Sequence, residues 1–200
     1  MSKQSDLSFF TKPNIYVLDT ETTGLKGHPY DHVVDIAVCL VSLDEGIVEP
    51  VYSSVVGYDT SAWDKATRQA WIFENTDMSL GMVQAAPPIM DVVSDLRSLL
   101  QGQYVTSFNV DFDFQKFLFF TPWNLERYIH PTRCIMKAAM PICAIPGFYD
   151  KYKFPKLQEA YDMIVTGDPA GIAGNQTHRA LSDAVMASHL LIALDRMGKY

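Results

Sequence analysis

Cysteine is scarce in this chain. Cys39, Cys134 and Cys143 are scattered through 200 residues, at spacings that make neither a disulfide framework nor a zinc pattern, and their odd number points to reduced thiols. Long hydrophobic runs are also missing. The longest, VVDIAVCLVSL, is interrupted by Asp35 and is too short to span a bilayer. MSKQSDLSFF carries no apolar stretch of the kind found in a secretory signal. These absences predict a cytoplasmic protein with no membrane partner. Positive charge is in short supply too, with 16 Lys and Arg against 23 Asp and Glu, a net charge of −7. Proteins that grip nucleic acid through its phosphates usually present a basic face. An acidic chain therefore has a ligand that is not a polyanion, or metal ions that supply local positive charge, or brief and weak binding. What is plentiful is core: 48% hydrophobic against 20% charged residues suits one folded domain over residues 1–200, with 1–12 as a flexible N-terminal extension.

NIYVLD, after Pro13, is rich in β-branched and aromatic residues and reads as a strand. DHVVDIAVCLVS and GIVEPVYSSVVG follow as strands, with LDEG as the hairpin turn between them. The stretch 61–100 is predicted helical, most clearly in PPIMDVVSDLRSLL, where Ile89, Val92, Val93, Leu96, Leu99 and Leu100 recur at helical spacing. QYVTSF reads as a further strand and DFQKFLFF as a helix ended by Thr121-Pro122. KLQEAYDMI and ALSDAVMASHLLIALDRM read as helices joined by the loop TGDPAGIAGNQTH. This order predicts a mixed α/β domain with helices flanking one sheet.

Three stretches carry candidate chemistry. In YVLDTETTG, Asp19 and Glu21 are two apart, so on a strand they share a face, roughly 6.5–7 Å apart at Cα. That separation suits two divalent cations held by oxygen ligands, and it also suits a solvated strand end. In SFNVDFDFQKF, Asn109 and Asp113 are four apart and share a helical face, whereas Asp111 is a cap or first-turn acid. In THRALSDA, His178 sits in a loop and Asp183 in the first turns of a helix, on its inward stripe with Ala187 and Leu190. A buried carboxylate is costly unless paired, and a metal relieves that cost. His28, His32, His130 and His189 read as structural. GFYDKYKFPK interleaves Phe148, Tyr149, Tyr152 and Phe154 with lysines; it could guide a nucleic-acid strand, but aromatics plugging the core are the commoner arrangement.

Taken together, the order D-x-E, D, H-x4-D resembles the DEDDh exonucleases. These are the DnaQ-like 3′-5′ exonucleases that include the proofreading subunit of bacterial DNA polymerase III, RNase T and oligoribonuclease. The resemblance covers nearly the whole chain. DTETTGL matches the first motif, LGMVQAAPPIMDVVSDL looks like the connecting segment, FNVDFD the second motif and HRALSDA the third. Phe108 stands where the second motif usually has His, Val110 where it has Ala, and Cys134 falls where relatives often have D-T before a helix. Arg179 occupies the position at which the DEDDy branch carries tyrosine, so the histidine branch fits better.

The resemblance implies a single ribonuclease H-like domain with a mixed five-stranded sheet flanked by helices. It implies Asp19, Glu21, Asp113 and Asp183 as ligands of two divalent cations, Mg²⁺ or Mn²⁺, with His178 as general base. Thr22, Thr23, Gly24, Leu25, Phe108 and Asn109 would meet the substrate, Leu25 as a wedge or as a core residue and Phe108 by stacking or, more in keeping with its type, by packing. The implied activity is hydrolysis of single-stranded or frayed 3′ ends, DNA before RNA, to nucleoside 5′-monophosphates, as in proofreading or DNA repair. A DNA polymerase or a second copy of the chain would be further partners. The alternatives are an exoribonuclease of the oligoribonuclease kind and a non-catalytic, polymerase-associated nucleic-acid-binding module.

Overall fold

The computed structural model describes residues 12–149, 151–167, 169, 171 and 178–200. One mixed sheet of five strands runs in the order β3-β2-β1-β4-β5. Strands β1 (Ile15–Thr22), β2 (Val33–Ser42) and β3 (Ile47–Val55) form an antiparallel meander. The turn joining the last two is the expected Leu43–Gly46 segment, closed by Gly46, whose φ of +70° is the left-handed region that glycine enters without strain. β4 (Tyr104–Ser107) and β5 (His130–Pro131) then run parallel to β1. β5 escaped the sequence reading: a two-residue strand containing proline has neither the length nor the alternation that marks a strand.

Helices cover both faces. Between β3 and β4 lie a 3₁₀ turn at Thr60–Ala62 and helices α1 (Lys65–Arg68), α2 (Trp71–Asn75), α3 (Leu80–Ala85) and α4 (Ile89–Leu100). The predicted helical stretch 61–100 is thus a chain of short turns before one regular helix. Asp64 and Ser79 interrupt it by capping new helices with their side chains. These turns build a small core of their own from Trp63, Ile72, Met78 and Val83 against Val34. After β4 come α5 (Val110–Phe112) and, where DFQKFLFF predicts an ordinary helix, a wider π-helical segment at Asp113–Leu118, in which the Phe119 amide reaches back to Phe114 at 3.0 Å. α6 (Ile135–Cys143), α7 (Leu157–Ile164) and α8 (Ala180–Arg196) complete the domain.

The two faces of β1 divide the core. Ile15 and Val17 pack with Met186, Ala187, Leu190 and Leu191 of α8, while Leu18 packs with Val92, Val93, Leu96 and Leu100 of α4 and with Phe114 and Phe117. Residues two apart share a face, so Asp19 and Glu21 continue the α8 side and Thr20 the α4 side. On β2 the side chains facing α8 are small: Ala37 and Cys39 lie against Ala180 and Ala184. A methyl against a methyl lets the helix approach the sheet closely at its N-terminal turn. Farther along, Met186, Leu190, Leu191 and Leu194 are fully buried. Each such side chain contributes roughly 1.5–3 kcal/mol, so α8 stays docked despite the acid in its first turn. Among the described residues no helix is long and apolar enough to cross a membrane.

Candidate active site

The carboxylates converge at the carboxyl end of β1. Asp19 and Glu21 are partly exposed there, Asp183 enters from the first turn of α8 at 4% exposure, and Asp113 comes from the start of the π-helical segment at 3%. Thr20, on the opposite face of the strand, donates a 2.6 Å hydrogen bond to Asp113 Oδ1, which ties β1 to that segment. Ligand-type atoms of Glu21, His178 and Asp183 lie within 4.8 Å of one another. His178 stands just before α8 with φ +52°, in the left-handed region that non-glycine residues seldom adopt. Of the loop expected before it, Asp168, Ala170 and 172–177 lie outside the described residues.

Burial and mutual repulsion act together on these acids. Asp19 is pushed well above the ordinary carboxylate range by desolvation, and then by Asp113, Asp183, Glu21 and Asp35, all in the same direction. Desolvation and the charges of Asp183, Asp35 and Asp113 lift Glu21 to about 8, although Arg179 opposes them. Asp113 rises only to about 6, because hydrogen bonds from Thr20 and Ser107 offset part of its desolvation. Folding therefore assembles negative charge that repels itself, an arrangement characteristic of a working site rather than of a stabilising network.

The predicted substrate contacts separate into two groups. Thr22, Thr23, Gly24 and Leu25 line a cavity of about 270 Å³ next to Glu21, closed by Trp71, Ile72 and Phe112. Leu25 is 76% exposed, so it is not a core residue, and Lys116 donates to its carbonyl at 2.7 Å. A Cβ at Gly24 would meet the Asp31 carboxylate, which caps the amides of Lys26 and Gly27, so a side chain there would have to displace that cap. Phe108 instead packs in the core at 8% exposure, with its carbonyl holding the Met136 amide. Asn109 does not share a helical face with Asp113: it is the cap of α5, its side chain accepting from the Phe112 amide at 3.3 Å, and Asp111 is the first-turn acid, paired with Lys137.

Trp71 and Asp35 belong to this region and lie outside the motifs; Phe112 belongs to it from within the second motif, though not among the expected substrate contacts. Trp71 is 55% exposed and meets His178 edge-on, ring centroids 5.1 Å apart. Asp35, across from Glu21 in the β1–β2 register, is buried and bound to Arg179 at 2.8 Å. A tryptophan two residues after a turn and an acid inside a long apolar strand carry no local signal; only the fold brings them here. Of the other histidines, His28 stacks on Phe120, His32 on Trp63, and His130 lies against Tyr104. Phe148 and Tyr149 are 89% and 95% exposed, so the aromatics of GFYDKYKFPK do not plug the core as expected; antiparallel pairing of Pro146 with Tyr152 holds the segment out as a turn.

A five-stranded mixed sheet flanked by helices, with acids gathered at the carboxyl end of its central strand and a histidine just before the last helix, is a fold this chain shares with solved 3′-exonucleases. The chain belongs to the RNase_T exonuclease family, whose sequence model matches residues 16–191. Among curated proteins it is similar to the 3′-5′ exonuclease DinG of Bacillus subtilis, 25% identical over 186 residues; the match takes in 92% of this chain but only 18% of that protein. Among solved structures, a full-length 3′-exonuclease superposes with a TM-score of 0.63 at 16% identity, over 92% of this chain and 61% of that one. The nuclease domain of 3′hExo, described as a DEDDh family member bound to rAMP, gives 0.60 at 15% identity over 96% and 94% of the two chains. Escherichia coli exonuclease I in complex with a dA16 oligonucleotide gives 0.61 at 16% identity, over 92% of this chain and 41% of that one.

Proposed function

We propose that this domain is a metal-dependent 3′-5′ exonuclease that removes nucleoside 5′-monophosphates from single-stranded or frayed 3′ ends. The observation carrying this reading is the gathering of Asp19, Glu21, Asp113, Asp183 and His178 at one strand end, beside a cavity walled by Leu25, Trp71 and Phe112. The donor set fits divalent cations of the hard kind. It is rich in carboxylate oxygen, and its acids are held so close that they raise one another's proton affinity. Asp19 and Asp183 would hold one Mg²⁺ or Mn²⁺, with Glu21 and Asp113 completing the set for a second. When bound, the pair supplies Lewis acidity toward a water nucleophile and toward the departing 3′-oxygen.

The chain's own groups do the rest. His178 accepts the proton of the water that attacks the last phosphodiester. Leu25 wedges against the terminal bases, and Trp71 and Phe112 give them an apolar surface that accepts any base, since every base has a π-face. The Thr20 hydroxyl fixes Asp113. The acidic net charge is consistent with this mode, because a frayed end needs few phosphate contacts. DNA is taken as the substrate before RNA, the two being told apart by the 2′-OH; in the turn, Thr22 Oγ1 donates to the Gly24 carbonyl at 2.8 Å and Thr23 Oγ1 accepts from the His32 amide at 2.9 Å, and each hydroxyl keeps a further hydrogen-bonding position for the sugar.

The test is a comparison of sequence-matched DNA and RNA oligonucleotides, followed from the 3′ end with Mg²⁺ or EDTA. Mononucleotide release from DNA that stops with EDTA is the expected result. Faster RNA degradation would transfer the reading to an exoribonuclease, and retained binding without metal-dependent hydrolysis would reduce the domain to a binding module. Trp71→Ala is expected to raise KM about tenfold, the equivalent of roughly one lost stacking contact, with a smaller change in kcat; unchanged KM would remove Trp71 from the substrate surface.

A further inference from the structure

Arg179 follows His178 directly, and its guanidinium joins two parts of the molecule that are distant in sequence. Nε donates to Asp35 Oδ2 at 2.8 Å, and Nη1 lies 3.2–3.3 Å from both oxygens of Asp77. The same Asp35 oxygen accepts the Ala180 amide at 3.2 Å. Asp35 therefore caps α8 from a neighbouring strand, where Arg179, the residue at the cap position, makes no side-chain cap of its own. The Arg179 carbonyl in turn accepts from the Asp183 amide at 3.1 Å and from the Ser182 hydroxyl at 2.9 Å. One residue thus holds the turn that carries Asp183, the sheet beneath it and the short-helix arm that carries Trp71.

The two ends of this bridge differ in kind. Asp35 has its side chain 2% exposed, and a buried pair of this sort is strongly disrupted when either partner is removed. The Asp77 side chain is 69% exposed, so its pairing is weak and screened by salt. The arm between them reaches the site, because Trp71 lies against His178 and walls the cavity. We propose that Arg179 is a positioning residue: its buried bond to Asp35 sets His178 and Asp183, and its exposed bond to Asp77 latches the Trp71 arm against the site. This rests on the exonuclease reading above. Lysine can keep one of the two bonds but cannot fork to both.

The experiment compares Arg179→Ala, Arg179→Lys and Asp77→Ala with the wild type, in steady-state kinetics on a 3′-labelled oligonucleotide with Mg²⁺. It also compares them by NMR of the metal-free proteins, with the Trp71 indole and His178 ring signals assigned through Trp71→Phe and His178→Ala. Arg179→Ala is expected to lower kcat on the order of 10–100-fold, as loss of groups that orient site residues does, and to shift both ring signals. Arg179→Lys is expected to recover most of kcat while keeping a KM raised about fivefold. Asp77→Ala, a surface change that leaves the core intact, should raise KM by about the same factor, leave kcat within about twofold, and shift the Trp71 signal alone. Wild-type KM and an unmoved Trp71 signal in Asp77→Ala would overturn the latch. Equal loss of kcat in Arg179→Lys and Arg179→Ala, with both proteins folded, would overturn the positioning role. A wild type without nuclease activity would sink the exonuclease reading, and the NMR shifts would then decide the bridge by themselves.

Discussion

Asp19→Asn is expected to abolish hydrolysis, by on the order of 10³-fold or more, and at the same time to raise the melting temperature of the metal-free protein. The loss of rate has the scale seen when one electrostatic partner of a transition state is removed. The gain in stability comes from relieving the repulsion of Asp113, Asp183, Glu21 and Asp35, together with the burial that already disfavours the charge. The sign of the pH dependence follows. Asp19, Glu21 and Asp113 bind protons more tightly folded than unfolded, so between their ordinary pKa values and their folded ones the native state holds more protons. Stability of the metal-free protein therefore falls as pH rises from about 4 toward 8, where Glu21 ionises in the fold. Melting curves across that range, with EDTA, should show the decline in the wild type and a shallower one in Asp19→Asn. A variant that is less stable than the wild type at every pH would argue for a supportive rather than a strained carboxylate.

His178→Ala is the second large effect, with kcat expected to drop by roughly 10²–10⁴-fold, the range of a positioned general base. Its signature is where the loss falls: in kinetics on a 3′-labelled oligonucleotide with Mg²⁺, kcat should drop while KM stays within about twofold. Stability should change little, because His178 is a partly exposed loop residue outside the buried core. Activity close to wild type would assign the proton transfer elsewhere.

The parts of this arrangement legible in the sequence are those whose spacing maps directly onto local geometry. Asp19 and Glu21 share a strand face because the strand period is two, and Asp183 points inward because its helix buries Ala187 and Leu190 on the same side. His178 and Asp183 were linked by motif spacing, and the fold brings their side chains together with Glu21. Contacts between distant segments left no such trace. Nothing local says that Asp35, within a run that reads as core, would cap a helix 145 positions later, or that Trp71 would reach His178. The π-helical segment escaped for a different reason, since its apolar spacing is close to that of an ordinary helix and only the Phe119-to-Phe114 hydrogen bond distinguishes it. Phe148 and Tyr149 misled because aromatic residues are usually recruited to cores, whereas here the segment turns back on itself before any helix can cover them.

The seam of small side chains under α8 has a consequence for how such an enzyme can vary. Ala37 and Cys39 on the sheet and Ala180 and Ala184 on the helix act as a shim between the element that carries Asp19 and the element that carries Asp183. Thickening the shim by a few methylenes, as in Ala184→Leu, is expected to lift the helix and widen the gap between the two acids with no acid replaced. Reach across that gap, rather than the identity of the acids, is then the quantity that drifts when the seam mutates. A chain could keep its whole motif and still fall silent through a change at a residue that no motif contains.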